Sequence, residues 1–136
     1  MLIKSFFNRK VRYGKESMDT VSNHHQEERP WGGFEQFTLN EPCTVKILHV
    51  EAGKRFSLQK HAHRTEVWKV LEGDGVLQIG NEIRPIVRGD MVTVPQGTLH
   101  RLTGGKQGLR VLEIAYGEFD ENDIERIEDD FGRIMP

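Results

Sequence analysis

Gly53-Lys54-Arg55-Phe56-Ser57-Leu58-Gln59-Lys60-His61-Ala62-His63-Arg64-Thr65-Glu66 is the stretch on which the reading of this chain turns. On an extended strand side chains alternate faces with a period of two, so Gln59, His61 and His63 share one face. Glu66 has the opposite parity and joins them only where the chain bends between His63 and Glu66. A further histidine arrives in Pro95-Gln96-Gly97-Thr98-Leu99-His100. Imidazole nitrogens, a carboxylate and an amide oxygen make a mixed donor set for a borderline or hard divalent ion, and Mn, Fe, Zn, Ni and Co all fit it. The competing reading is a pair of solvent-facing histidines on an edge strand, since alternation places any His-x-His pair side by side.

Outward from this stretch, the chain reads as short strands bounded by turn residues. They are Phe34–Leu39, Thr44–Val50, Phe56–Gln59, Glu66–Leu71, Val76–Ile79, Glu82–Val87, Met91–Val94, Leu99–Thr103 and Leu109–Ala115. Each is rich in β-branched or aromatic residues and flanked by Gly, Pro, Asp or Asn. Gly80-Asn81 between two such runs is a two-residue hairpin signal, glycine supplying the positive φ of a type II′ turn. Many short strands at regular spacing predict an all-β sandwich or barrel. The acidic tail differs: Asp123-Ile124-Glu125-Arg126-Ile127 suits a short helical segment capped by Asp120 or Asn122. Residues 1–28 read as a flexible basic arm and 29–136 as one domain, a size at which a single core forms.

Composition narrows the function classes. The net charge is −2, and basic residues interleaved with stacking aromatics are missing, so nucleic acid is not the expected partner. No apolar run reaches the roughly 20 residues of a membrane-spanning helix, and no membrane association is expected. Cys43 is the sole cysteine, which rules out an internal disulfide and a thiolate zinc cage and suits a reducing cytoplasm.

Spacing carries the reading further. The first stretch resembles the cupin motif G-x5-H-x-H-x4-E-x6-G, with Gly53, His61, Glu66 and Gly73 in register and Gln59 at the first histidine position. The second cupin motif, G-x5-P-x-G-x2-H-x3-N, is matched by Gly89, Pro95, Gly97 and His100, with Gly104 at the asparagine position. Arg29-Pro30-Trp31-Gly32, the run from Leu58 to Trp68, His100-Arg101-Leu102, and a tail with Asp123, Ile124, Arg126, Asp129, Gly132 and Arg133 resemble the type II phosphomannose isomerase family. In that family the tail runs near E-D-D-I-x-R-x-x-D-x-Y-G-R; here Asn122 replaces an acid and Phe131 a tyrosine. Gly104-Gly105 stands where Asn-Pro is usual, and Ala115 where glutamine is common.

The resemblance, which covers about Arg29 to Arg133, implies a single cupin barrel (a double-stranded β-helix, or jelly roll). It also implies one divalent metal ion held by Gln59, His61, Glu66 and His100, and interconversion of mannose 6-phosphate and fructose 6-phosphate through an enediol. The guanylyltransferase domain often fused to such cupins is not expected here, the stretch before Arg29 being too short for it. His63 is the candidate proton carrier, histidine being the residue type that exchanges protons near neutral pH; a fifth ligand, or a histidine held behind the ligands, is the alternative. Arg64 is placed with His63 among the catalytic residues, and Lys60 and Arg101 are candidates for binding the sugar phosphate, although Lys60 alternates away from the Gln59–His61 face. Arg29 and Arg133 are weaker candidates, and Trp31 and Trp68 are read as core before they are read as sugar-stacking surfaces. Two other functions stay open on this fold: a non-enzymatic metal-containing cupin that binds a sugar or sugar nucleotide, and an enzyme of another class such as a dioxygenase. Small barrels with exposed edges commonly pair, so a homodimer is expected.

Overall fold

Two long strands carry the architecture. In the computed structural model, which describes residues 23–134, every regular element is a strand. They are β1 His25–Arg29, β2 Gly32–Gln36, β3 Cys43–Val50, β4 Leu58–Lys60, β5 Thr65–Ile79, β6 Glu82–Val87, β7 Met91–Val94, β8 His100–Tyr116 and β9 Glu125–Glu128. β5 and β8 run antiparallel along almost their whole length. β7 pairs with the first half of β5 and β6 with the second; β4 meets the start of β8 and β3 its end. The seven strands lie along the path β6-β5-β8-β4-β9, with β3 and β7 branching from it; among the described residues the path does not close on itself. The all-β expectation holds.

The sequence divides β5 and β8 into shorter strands because both change register midway. Pairing shifts between Val70 and Glu72 and again between Gly73 and Gly75. Core residues on β5 are therefore Trp68 and Val70 before the shift and Leu77 after it; on β8 they are Leu102 before and Leu109 and Val111 after. An alternation that switches parity reads as two strands with a turn between, although the chain never leaves the sheet. Gly104, at the second motif's asparagine position, sits at this crossing. A Cβ there would collide with the carbonyl oxygen of Glu51, so the close backbone passage excludes a larger residue. Gly80 turns β5 into β6 with φ 54°, as the hairpin signal requires.

The tail corrects one expectation. No helix forms over Asp123–Ile127; Glu125–Glu128 is instead strand β9, antiparallel to β4. Five residues of helical pattern cannot outweigh nucleation, while β4 offers a backbone edge whose donors and acceptors need partners. Asp120 does act as a cap, but of a turn: its Oδ1 accepts the Asn122 N–H at 2.9 Å.

Described residues up to Glu41 and those from Pro42 fall into two compact units. In the first, β1 and β2 make a two-stranded hairpin with Trp31 at its tip, 72% exposed. β1 straddles the 28/29 boundary read from the sequence, and residues 1–22 of the expected arm lie outside the described residues. In the second unit, Trp68 is buried with Val50, Val70, Leu77, Ile86, Val92, Val94, Leu102, Leu109 and Val111. That settles Trp68 as a core residue.

Candidate metal centre

Backbone pairing brings the two histidine stretches together. Gln59 on β4 lies directly opposite His100, the first residue of β8, so their side chains leave the sheet on the same face. The turn before β8 is tied to the bend after β4 by Gly97 N–H donating to the His61 carbonyl at 2.7 Å. β4 ends at Lys60, and the chain bends before β5 starts at Thr65. The bend removes the parity obstacle: Glu66, on the same face of β5 as Trp68 and Val70, now meets His61.

His61, Glu66 and His100 each present one ligand atom within 4.8 Å of the others, and all three residues are buried. His61 Nε2 lies 3.4 Å from Glu66 Oε1, and the two imidazole centroids are 4.9 Å apart. Main-chain carbonyls set both tautomers. His61 Nδ1 is 2.6 Å from the Asp123 carbonyl and His100 Nδ1 is 2.9 Å from the Thr98 carbonyl. A carbonyl only accepts, so each Nδ1 carries the proton and each Nε2 keeps its lone pair. Burial pushes the His100 pKa down to about 4, against the raising effects of the Thr98 carbonyl and Glu66, so the ring is neutral at neutral pH.

The donor set passes a direct test of fit to a divalent ion. Glu66 Oε2 and His100 Nε2 are buried with no hydrogen-bond partner among the described residues. Such atoms are costly to bury unless something electropositive meets them. Gln59 is adjacent: its Nε2 is 3.4 Å from His61 Nε2, while its Oε1 accepts the Ser57 hydroxyl at 2.6 Å. Turning the amide end over would present the oxygen to His61 and leave the nitrogen to Ser57, and only in that orientation is Gln59 a ligand.

Other candidates divide. Arg64 is buried inside the cluster: Nε donates to Glu66 Oε1 at 2.7 Å, Nη2 to His61 Nε2 at 3.3 Å and Nη1 to the Asp120 carbonyl at 3.0 Å. Its guanidinium also lies 4.3 Å over the Phe119 ring. His63 is not with the cluster of His61, Glu66 and His100; it stands exposed in the bend, where strand alternation no longer applies, and its N–H donates to Asp123. Lys60 points away and pairs with Glu125 at 3.5 Å. Arg101 is buried, but its guanidinium is spent on the Phe56 carbonyl and on Glu128 of β9.

Two site residues escaped the sequence reading. Glu113 on β8 faces Trp68 directly across the ladder and accepts its indole N–H at 3.1 Å. Burial first, then the neighbouring charge of Glu66, raises the Glu113 pKa to about 7. Its signal was a lone acid in the inward row Leu109, Val111, Glu113, Ala115. Asp123 is the other, hidden by the helical reading of the tail. Burial disfavours its charge, but the Ala62 and His63 N–H donors, with the nearby histidines, outweigh that and hold its carboxyl below the ordinary range.

Residues 16–129 match the family described as Mannose-6-phosphate isomerase C-terminal. The chain belongs to that family. Among curated relatives of this isomerase-family domain, the xanthan biosynthesis protein XanB of Xanthomonas campestris pv. campestris is 35% identical over 112 residues, 81% of this chain and 24% of that protein. The mannose-1-phosphate guanylyltransferase ManC of Salmonella typhimurium is 33% identical over 113 residues, 82% of this chain and 24% of that protein. The chain thus spans about a quarter of the length of these relatives. Streptomyces PAC13, solved with uridine, superimposes with a TM-score of 0.58 at 21% identity, covering 81% of this chain and 89% of that one. At that identity the likeness establishes the cupin fold of this family member and nothing about its ligand. No helix among its described residues is long and apolar enough to cross a membrane.

Proposed function

We propose that this chain is a metal-dependent isomerase interconverting mannose 6-phosphate and fructose 6-phosphate, serving the synthesis of a polysaccharide precursor. The observation that carries the reading is the convergence of His61 Nε2, Glu66 and His100 Nε2, two of whose buried atoms lack any hydrogen-bond partner among the described residues, in a chain of this family. His61, Glu66 and His100 would hold the ion, with Gln59 completing the set once its amide is turned. Zn, Mn, Co, Ni or Fe suits these donors, and the bound ion would supply electrophilic stabilisation of negative charge developing on the sugar oxygens.

The chemistry is a proton transfer between neighbouring carbons. The aldose loses a proton from C2 while O1 gains one, giving the enediol; O2 then loses its proton and C1 gains one, giving the ketose. His63, exposed at the bend, is the proposed proton carrier at C1 and C2. Arg64 is the proposed partner of the substrate's oxygens, its guanidinium carried into the cluster by Phe119 and Asp120. Lys60 stands partly exposed beside the bend as a proposed contact for the phosphate; the bonds of Arg101 to Phe56 and Glu128 favour a structural task instead.

A coupled assay on mannose 6-phosphate tests the reading, using metal-stripped protein with each of the five ions restored singly and His61→Ala as control. Turnover that returns with metal and is absent in the control supports it. Metal bound with no turnover on any hexose phosphate removes it. One observation favours a second reading, a non-enzymatic metal-containing cupin that binds a sugar or sugar nucleotide: His63, the proposed proton carrier, stands exposed in the bend with its N–H on Asp123 and not among the candidate donors. We also propose a homodimer, supported by the exposed apolar row of Val45 and Ile47 on β3, with sedimentation equilibrium as its check.

A further inference from the structure

Four residues of the tail, Phe119, Asp120, Glu121 and Asp123, fasten it to the strands and the bend around the cluster. Phe119 lies between two cations, Lys46 Nζ at 4.2 Å and the Arg64 guanidinium at 4.3 Å. The Asp120 carbonyl accepts from Arg64, and Glu121 pairs with Lys46 at 2.7 Å. At the end of this run Asp123 makes three bonds to the bend after β4. Its Oδ1 accepts the Ala62 N–H at 2.8 Å, its Oδ2 accepts the His63 N–H at 3.0 Å, and its own carbonyl accepts from His61 Nδ1 at 2.6 Å.

We propose that Asp123 is a positioning residue whose carboxylate latches the tail onto the Ala62–His63 backbone and so holds its carbonyl against His61, fixing that ring as the Nδ1–H tautomer with Nε2 aimed at the cluster. The consequence for metal affinity rests on the metal-site reading above; the latch itself does not. The geometry needs the aspartate in particular. Two adjacent N–H groups, Ala62 and His63, diverge from one bend, and a two-oxygen acceptor on a short side chain meets both. An imidazole with no partner at Nδ1 is free to exchange tautomers, and every molecule with the proton on Nε2 is closed to an ion. The same interaction gives a task to an aspartate of the tail motif, which lies 62 residues from the histidine it orients.

The test compares the full chain with Asp123→Ala, Asp123→Asn and, as a control for general loosening of the tail, Asp130→Asn. Long-range proton–nitrogen correlation of the metal-free protein labelled with 15N-histidine reads each imidazole's tautomer, and titration with Co or Zn reads affinity. The expected result is a wild-type His61 protonated on Nδ1. It becomes a tautomer mixture in Asp123→Ala, with affinity lower by roughly ten- to a hundredfold. Asp123→Asn, which keeps one acceptor oxygen, falls between, and Asp130→Asn matches wild type in both readouts. The proposal is overturned by a wild-type His61 protonated on Nε2, by an Asp123→Ala protein that keeps both tautomer and affinity, or by an equal loss in Asp130→Asn. Should Asp123→Ala not fold, the wild-type tautomer and Asp123→Asn decide the matter. Should the wild type bind no metal, the metal reading fails while the tautomer measurement still judges the latch.

Discussion

Arginine–carboxylate pairs occur in this molecule in two settings, and they have opposite consequences. Arg64–Glu66 is buried beside a second carboxyl, Glu113, and two imidazoles. Arg55–Asp130 and Arg133–Asp129 line or border a groove with Phe56 and Phe131, and their geometry is as good: Arg55 donates twice to Asp130, at 2.8 and 3.0 Å, and Arg133 twice to Asp129 by its side chain, at 2.9 and 2.8 Å. Good geometry is therefore not what separates them. In water an exposed pair such as Arg55–Asp130 exchanges one set of partners for another, and its net effect is small. Out of water each buried group depends on its neighbour, and the removal of one strands the other.

The sharpest way to break this contrast is to delete half of the buried pair. Glu66→Ala in metal-free protein should cost about 3–5 kcal/mol in urea unfolding, because the Arg64 guanidinium is left buried without its carboxylate. Arg64→Ala should cost a similar amount without metal and regain more Tm than wild type when Co or Zn is added, since ion and guanidinium compete for the same atoms. An equal metal-induced rise in both proteins would refute that competition.

Acid should expose the next effect. The His100 pKa is about 4 in the folded chain against an ordinary 6.5, so between those values the unfolded state binds more protons. Stability from this ring is complete above pH 6.5 and is lost as pH falls to about 4, a difference of about 3 kcal/mol. The difference in unfolding free energy between metal-free wild type and His100→Gln, followed from pH 7 to 4, should show this slope; parallel curves would remove it. Trp68→Phe keeps the ring but takes the donor from Glu113, at about 1–3 kcal/mol by the same unfolding measurement. The smallest effect belongs to the exposed setting: Asp130→Asn should leave Tm unchanged within error, and a clear drop would mean that the groove pairs are not equivalent to ordinary surface pairs.

What could be read beforehand follows the same division. The clustering of His61, Glu66 and His100 was legible because metal-donor residue types are rare at such fixed spacings and fall, with Gln59, within two motifs. Two short strands fused into β5, and two more into β8, because the register shift imitates a turn. The tail was misread: β9 pairs with β4 through the backbone, and it is the main-chain carbonyl of Asp123 that meets His61, contacts that leave no residue pattern of their own. Glu113 was visible only as an acid among apolar neighbours, and its meaning depends on Trp68 lying opposite, a fact of register.

The register change in β5 and β8 also acts as a frame boundary. Upstream of it the inward positions on β5 carry Glu66 and Trp68; downstream they carry Leu77. A one-residue insertion at the crossing would be absorbed by altering the shift, whereas the same insertion between Thr65 and Val70 would turn Glu66 outward and bring its neighbours in. The half of the ladder beyond the crossing is thus insulated from length changes at the crossing, and the half that carries Glu66 and Trp68 tolerates none within its own length.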